Sequence, residues 1–285
     1  MKNLIIQADN IIGLNYLVAN GYLGKIDLIY IDPPFATGND FAVGEGRIAT
    51  ISHSKSDIIA YTDRVKGDEF VESIRKRLLI ARELLSERGS IYLHTDYKIG
   101  HYLKVMMDDV FGASNFRNDI SRIKCNPKNF KRIGFGNIKD MILFYTKAKA
   151  PIWNEPFENY SAEDVERLFP YIDDSGRRYT TVPIHAPGEK IESETFHGLK
   201  PPKGRHWRTS VKVLEQWDKE GLIEWSKNGN PRKKIFIDDK KGKRMQDIWT
   251  FKDPQYPTYP TEKNANLLDL IIRTSSVPGS IVLDF

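Results

Sequence analysis

One cysteine, Cys125, stands among 285 residues. A lone thiol cannot close an intramolecular disulfide, and its neighbourhood offers no second thiol or nearby histidine at metal-ligand spacing. A reducing, cytoplasmic compartment is expected. Long apolar runs are missing too. The opening MKNLIIQADN reaches Gln7, Asp9 and Asn10 before a signal or membrane helix can develop, so no membrane partner is expected. There is no internal repeat and no low-complexity tract. What remains, 40% apolar and 28% charged, suits one large globular domain or a domain carrying a sizeable insertion.

The net charge of +5 is unevenly placed. Residues 200–244 hold 14 basic against 6 acidic side chains, a net of +8, which leaves the rest of the chain at −3. A charge run is commonly no more than a solvated face. Here Trp207, Trp217, Trp225 and Phe236 interleave with it, a mixture suited to nucleic acid.

Along the chain, residues 3–6 form a short apolar strand candidate. A polar turn follows, and then a helical pattern at Ile11, Leu14 and Leu17. The run Ile26-Asp27-Leu28-Ile29-Tyr30-Ile31 has the pattern of a strand buried on both faces of a parallel sheet, and Asp32-Pro33-Pro34-Phe35 ends it. Residues 36–58 are polar, Gly-rich and without period, which predicts a long mobile loop containing His53, Ser54 and Lys55. Residues 70–86 predict an amphipathic helix with Gly89 just beyond its end. Residues 90–94 predict a strand, then a helix follows through Tyr102, Val105, Met106 and Val110. Met141 to Tyr145 is a further buried-strand candidate. After about residue 253 the α/β texture resumes, with a helix through Leu267 to Ile272 and a last buried strand over residues 280–285. Strands alternating with helices imply an α/β sheet.

In an open α/β sheet, ligands bind outside the carboxyl ends of the strands. The unit Asp32-Pro33-Pro34-Phe35 presents a carboxylate, two prolines and an aromatic ring there; alone it is equally a proline-terminated strand with an incidental acid. Further segments make the pattern more specific: Gly89-Ser90-Ile91-Tyr92-Leu93-His94 with Asp96, Phe116-Arg117-Asn118, the run from Asn137 to Lys147, Tyr259-Pro260-Thr261-Glu262-Lys263-Asn264, and Pro278-Gly279-Ser280-Ile281-Val282-Leu283-Asp284-Phe285. In this order the chain resembles the β class of S-adenosylmethionine-dependent amino-methyltransferases, the N6-adenine and N4-cytosine DNA enzymes of restriction-modification systems. The resemblance implies a Rossmann-like, circularly permuted α/β methyltransferase fold with an inserted target-recognition region. Residues 1–149 would be the catalytic half, 150–253 the DNA-reading region and 254–285 the start of the cofactor-binding half.

The chemistry is consistent with that resemblance. An exocyclic amine conjugated to an aromatic base is a poor nucleophile because its lone pair is delocalised into the ring. Asp32 and the Pro33 carbonyl can each accept one N–H, favouring a pyramidal nitrogen whose lone pair points at the methyl donor. Pro34 stiffens the turn, and Phe35 would stack on the base, worth about 1–3 kcal/mol. The base must leave the duplex to reach such a pocket. The amine's proton departs after the methyl group arrives, when the nitrogen is already acidic. The six histidines therefore need no catalytic role, and their spacing supports no metal site.

For the cofactor, S-adenosylmethionine, the resemblance points to Asp9 and Asn10 near the adenine end, to Thr261, Lys263 and Asn264 near the methionine end, and to Asp284 and Phe285 at the lip of a Gly-rich loop. Asp9 equally suits the N-cap of the helix that follows, and Lys263 an exposed helix-start lysine. The sequence stops at the strand that would lead into that loop. The expectation is an incomplete cofactor site, in either a fragment or a natural truncation completed by another polypeptide.

Arg205, Arg208, Arg232, Lys233, Lys234, Lys240, Lys241, Lys243 and Arg244 are the candidate contacts to double-stranded DNA, mainly to phosphates, with arginine also able to read guanine edges. Asp at the first motif position favours adenine over cytosine. The implied activity is methylation of adenine N6 within a restriction-modification system, with a homodimer and a cognate endonuclease as further partners. Three alternatives stay open: an N4-cytosine enzyme, a DNA-binding remnant without turnover, and an enzyme acting on RNA or on protein glutamine.

Overall fold

The computed structural model describes residues 3–33, 40–44, 47–50, 58–62, 67–127, 129, 131, 133–188, 194–259 and 261–285. The chain divides into two compact units, Met1–Pro156 with Gln246–Phe285, and Phe157–Met245. The second unit lies inside the 150–253 region marked out by its composition.

The first unit is built on a six-stranded sheet in the order Ile248–Thr250, Phe116–Ile123, Lys139–Thr146, Leu85–Thr95, Ile26–Ile31, Ile281–Asp284. Ile26–Ile31 runs parallel to both of its neighbours, as its nearly continuous apolar run suggests. Lys139–Thr146 is antiparallel to both of its own neighbours. Its N-terminus therefore lies at the same sheet edge as the C-termini of Ile26–Ile31, Leu85–Thr95 and Phe116–Ile123. This inversion brings residues from four strands to one edge.

Helices Asn10–Ala19, Gly67–Leu84 and Gly100–Phe111 supply Leu14, Leu17, Ile74, Leu78, Leu103 and Met107 to the core, where they meet Ile29, Ile91, Leu93 and Leu143. The helix Ala265–Ser275 contributes the buried Leu267 and Ile271. Met141–Tyr145 is buried throughout, as expected.

Several elements depart from the sequence reading. Residues 3–6 are unpaired, and Ile5 is 95% exposed. The apolar triplet Leu4-Ile5-Ile6 gains no sheet neighbour, so its pattern had nothing to bury against. The last strand, Ile281–Asp284, is the sheet's edge: it pairs only with Ile26–Ile31, and Val282 is 44% exposed. Within the expected 36–58 loop, Asp40–Gly44 and Arg47–Thr50 pair antiparallel and join Ile58–Thr62 in a three-stranded sheet. Strands of four or five residues leave too short an alternation to read. His53, Ser54 and Lys55 lie outside the described residues.

Gly89 does not cap a helix. The helix ends at Leu84, and Gly89 sits in the strand Leu85–Thr95, where a Cβ would meet Leu85 Cδ2 at 2.7 Å and the Ile26 carbonyl oxygen at 2.9 Å. Glycine is there for close backbone approach.

The second unit holds a four-stranded antiparallel sheet in the order Ile223–Trp225, Pro231–Phe236, Arg178–Pro183, Tyr171–Ile172. Its core gathers Ile184, Phe196, Trp207, Val211, Leu214 and Ile223, with Trp217 packed against it. Two of the aromatic residues interleaved with the basic block, Trp207 and Phe236, are thus buried, while Trp225 is partly exposed and stacks on Phe196. Their spacing served packing as much as any ligand.

Candidate active site

Asp32 follows the C-terminus of the central strand. Its Oδ2 is 2.7 Å from Lys263 Nζ, and its Oδ1 is buried without a hydrogen-bond partner among the described residues. An ionised carboxylate oxygen buried in this way costs free energy unless something arrives to donate to it. Lys263 Nζ fixes the carboxylate through the other oxygen, so Oδ1 is a pre-oriented acceptor. Pro33 follows in the chain, whereas Pro34 and Phe35 lie outside the described residues.

Behind Asp32 lies a buried polar network. Tyr30 Oη is 2.8 Å from His94 Nδ1, and the same nitrogen is 3.8 Å from Asp32 Oδ1. His94 Nε2 is 3.3 Å from Asp140 Oδ2. Asp140 also meets Arg122 Nη1 at 3.5 Å and Lys124 Nζ at 2.6 Å. Arg122, fully buried, donates from Nε to the Phe251 carbonyl at 2.8 Å and pairs with Asp253. Burial would raise the Asp140 carboxyl, but the hydrogen bond from His94 and the charge that ring can carry, followed by the Lys124 ammonium, outweigh it and hold it down to about 2. Burial pushes the His94 imidazole below its ordinary value, with Lys263 adding to the effect, while Asp140 and Asp32 pull the other way. Burial, then Asp32, pushes the Tyr30 phenol upward.

A cleft of about 860 Å³ runs between the N-terminal segment and the edge strand. Asp9, Asn10, Asp284 and Phe285, four of the seven expected cofactor contacts, line it together with Ile281, Leu283 and Tyr22. Burial and the neighbouring Asp32 raise the Asp284 carboxyl. Asp9 also acts as the helix cap: its Oδ1 accepts from the Ile11 N–H at 2.9 Å, and its Oδ2 lies 3.3 Å from Arg77 Nη2. Arg77 Nε donates to Asn10.

The remaining three expected contacts fall elsewhere. Lys263 is at Asp32, as described. Asn264 caps the helix Ala265–Ser275 by accepting from the Asn266 N–H and donates to the Lys252 carbonyl. Thr261 is exposed, with a left-handed backbone of φ 63°. Among the described residues no group of three or more His, Cys, Asp or Glu is placed to hold a metal, and no helix is long and apolar enough to cross a membrane.

In the second unit the basic residues sort by what they touch. Arg205 Nη1 lies 3.2 Å from His185 Nδ1, and Arg208 Nε donates to the His185 carbonyl at 3.1 Å. Arg232 donates to the Thr181 hydroxyl and carbonyl, both at 2.8 Å. Lys233 lies 3.6 Å over the Trp217 ring and Lys234 5.2 Å over Tyr179. Lys243 is tied to Asp164 at 2.7 Å and Glu158 at 3.2 Å. Lys240, Lys241 and Arg244 are exposed.

The site residues that sequence reasoning passed over are Tyr30, His94, Asp140, Arg122, Lys124 and Asp253. Their one signal was a polar residue inside or beside an apolar strand run: His94 after Ile91-Tyr92-Leu93, and Asp140 before Met141-Ile142-Leu143.

An open α/β sheet with a lysine-clamped carboxylate at its carboxyl edge defines a ligand-binding enzyme core of the Rossmann-like kind. The DNA methylase family, N6_N4_Mtase, matches residues 26–285, and the chain belongs to that family. It is 38% identical over 292 aligned positions to the type II methyltransferase M.EcaI of Enterobacter cloacae, an alignment that takes in 100% of this chain and 62% of that protein. It is 32% identical over 205 positions to the probable type III restriction-modification enzyme HindVI Mod subunit of Haemophilus influenzae, covering 70% of this chain and 24% of that one. Among solved structures, the cytosine-N4-specific PvuII DNA methyltransferase aligns over 92% of this chain and 67% of that one, at 11% identity and a TM-score of 0.46. The chain thus spans less than two thirds of the length of either curated relative.

Proposed function

We propose that the protein transfers a methyl group from S-adenosylmethionine to the N6 amine of an adenine flipped out of duplex DNA, within a restriction-modification system. The observation that carries this reading is the Asp32 carboxylate, clamped through Oδ2 by Lys263 and left with a buried, unpartnered Oδ1 at the end of the central strand. Membership of the DNA methylase family supports it, as do the type II methyltransferase and type III Mod subunit among its relatives.

Asp32 Oδ1 accepts one N–H of the target amine and the Pro33 carbonyl the other, which localises the nitrogen lone pair for attack. Lys263 keeps the carboxylate from rotating, so the acceptor is oriented before substrate arrives. The cleft lined by Asp9, Asn10, Asp284 and Phe285 has the size of a small-molecule site. A cationic ligand fits its electrostatics, because burial first and then the Asp32 carboxylate raise the Asp284 carboxyl on its wall, and a positive group beside Asp284 favours its charged form. When bound, the cofactor supplies an electrophilic methyl group on a sulfonium. The exposed cations of the 200–244 block are assigned to phosphate contacts that position the duplex. A cytoplasmic setting, a second copy of the chain and a partner endonuclease belong to the same proposal.

The test is incubation of the protein with labelled S-adenosylmethionine and duplex DNA, followed by nucleoside analysis. N6-methyladenine is the expected product. N4-methylcytosine would replace adenine by cytosine in the reading. Duplex binding without any methyl incorporation would overturn the transferase assignment in favour of a DNA-binding role.

A further inference from the structure

The strand Leu85–Thr95 is apolar from Ile91 to Leu93 and then carries His94, fully buried, into the sheet. The partners of its two nitrogens fix its tautomer. Asp140, with its carboxyl held far below neutrality, can only accept, so Nε2 carries the proton that reaches Oδ2 at 3.3 Å. Nδ1 is then a lone pair, and it accepts from the Tyr30 hydroxyl at 2.8 Å. That same nitrogen lies 3.8 Å from Asp32 Oδ1, the buried oxygen left open by Lys263.

We propose that His94 is a positioning residue for Asp32: neutral, it carries no proton on Nδ1, the nitrogen nearest Oδ1, and so leaves that oxygen free to accept from a substrate amine. This rests on the reading of Asp32 as the amine's acceptor. An imidazolium reverses the arrangement. Its Nδ1–H becomes a donor facing Oδ1 at a distance that a small ring movement closes, and with Lys263 on Oδ2 both carboxylate oxygens are then occupied.

The groups facing His94 decide which form is present. Tyr30 and Asp32 reach it from the central strand and its end, Asp140 from Lys139–Thr146, and Lys263 from the segment before Ala265–Ser275. Behind Asp140 stand Arg122 and Lys124, with Asp253 beyond Arg122. These two cations reach the Asp140 carboxylate at 3.5 and 2.6 Å, so the imidazole is one of three donors to it. Tyr30 stays a phenol and donates, which stabilises the neutral ring further.

The test is a pH titration of His94 by NMR in the 285-residue protein with labelled histidine, beside Asp32→Asn and Tyr30→Phe. The expected result is the Nε2–H tautomer at neutral pH, with a midpoint that moves down in Asp32→Asn and up in Tyr30→Phe. An Nδ1–H tautomer, or a midpoint indifferent to Asp32→Asn, overturns the proposal. The second readout is the acid limb of methyl transfer. It should rise by about half a pH unit in Tyr30→Phe, roughly threefold in rate on the limb, and move down by about a unit or more in His94→Gln. Variants that lower the rate equally at every pH, with the limb unmoved, would show a merely structural role and also overturn it. If the wild-type protein transfers no methyl group, the functional reading fails, while the tautomer and the two midpoint shifts still decide whether His94 is coupled to Asp32.

Discussion

Asp32 concentrates the chemistry of the proposed site because its two oxygens have different surroundings. One is held by Lys263 and the other is desolvated and open. Asp32→Ala should abolish methyl transfer while leaving nonspecific duplex affinity close to intact, measured by product formation and by binding at low salt; a mutant that still methylates would remove the acceptor role. Arg122 poses the converse case, a buried charge whose partners depend on it. Arg122→Met deprives Asp253 and the Phe251 carbonyl of their donor and weakens the cover of Asp140. Denaturant unfolding should register a loss of about 3 kcal/mol; a neutral result would mean that Lys124 alone suffices for Asp140. Asp140 also makes stability pH-dependent. Its folded carboxyl titrates near 2, below the ordinary carboxylate value, so its contribution is complete above about pH 4 and is lost as pH falls toward 2. That amounts to roughly 2 kcal/mol, and an Asp140→Asn variant should show a shallower decline of stability between pH 5 and 2.

Among the elements, those whose sequence pattern and environment agree were readable. Ile26–Ile31, interrupted only by Asp27, and Met141–Tyr145 are apolar runs because each is covered on both faces, and the helices Asn10–Ala19 and Ala265–Ser275 carry periodic apolar stripes beside the cap residues Asp9 and Asn264. Where context decides, pattern misled. Leu4-Ile5-Ile6 has a strand's composition but no neighbour, and Ile281–Asp284 has a buried strand's composition at an edge. The strand Phe116–Ile123 was missed because Arg117, Asn118, Asp119 and Arg122 interrupt its apolar residues. Of the site, Asp32 was legible from local sequence, since strand, acid and prolines are contiguous. The Tyr30, His94, Asp140 and Arg122 network was not, because only the antiparallel Lys139–Thr146 strand brings its members to one edge. Gly89 is a test of that packing. Gly89→Ala places a methyl group 2.9 Å from the Ile26 carbonyl oxygen, a backbone atom that cannot rotate away. The variant should lose about 1–3 kcal/mol in denaturant unfolding, and an unchanged midpoint would mean that the two strands can part without cost.

At the level of the whole chain, charge and fold divide the labour. The first unit pairs the buried charges of Arg122 and Asp140, whereas the second carries the basic block, and only part of that block is available to a polyanion. Lys243 is committed to Asp164 and Glu158, and Arg232 to Thr181. Lys240 and Lys241 are exposed, as are Arg205 and Arg208, which cluster around His185. The three arginines, after burial, push the His185 imidazole below its ordinary value. A surface where three arginines add to burial in lowering a histidine is one that gains by acquiring phosphate. If about five such side chains neutralise phosphates, the logarithm of the duplex association constant should fall against the logarithm of salt concentration with a slope of about −4 to −5. Affinity would then drop by roughly 10³ between 50 and 200 mM salt. Paired Lys240→Ala and Lys241→Ala substitutions should reduce that slope by about 2, while Lys243→Ala should act on stability and leave the slope nearly unchanged. A slope near zero in the wild-type protein would take the basic block out of DNA binding, and a large slope change from Lys243→Ala would mean that its carboxylate partners release it when DNA binds.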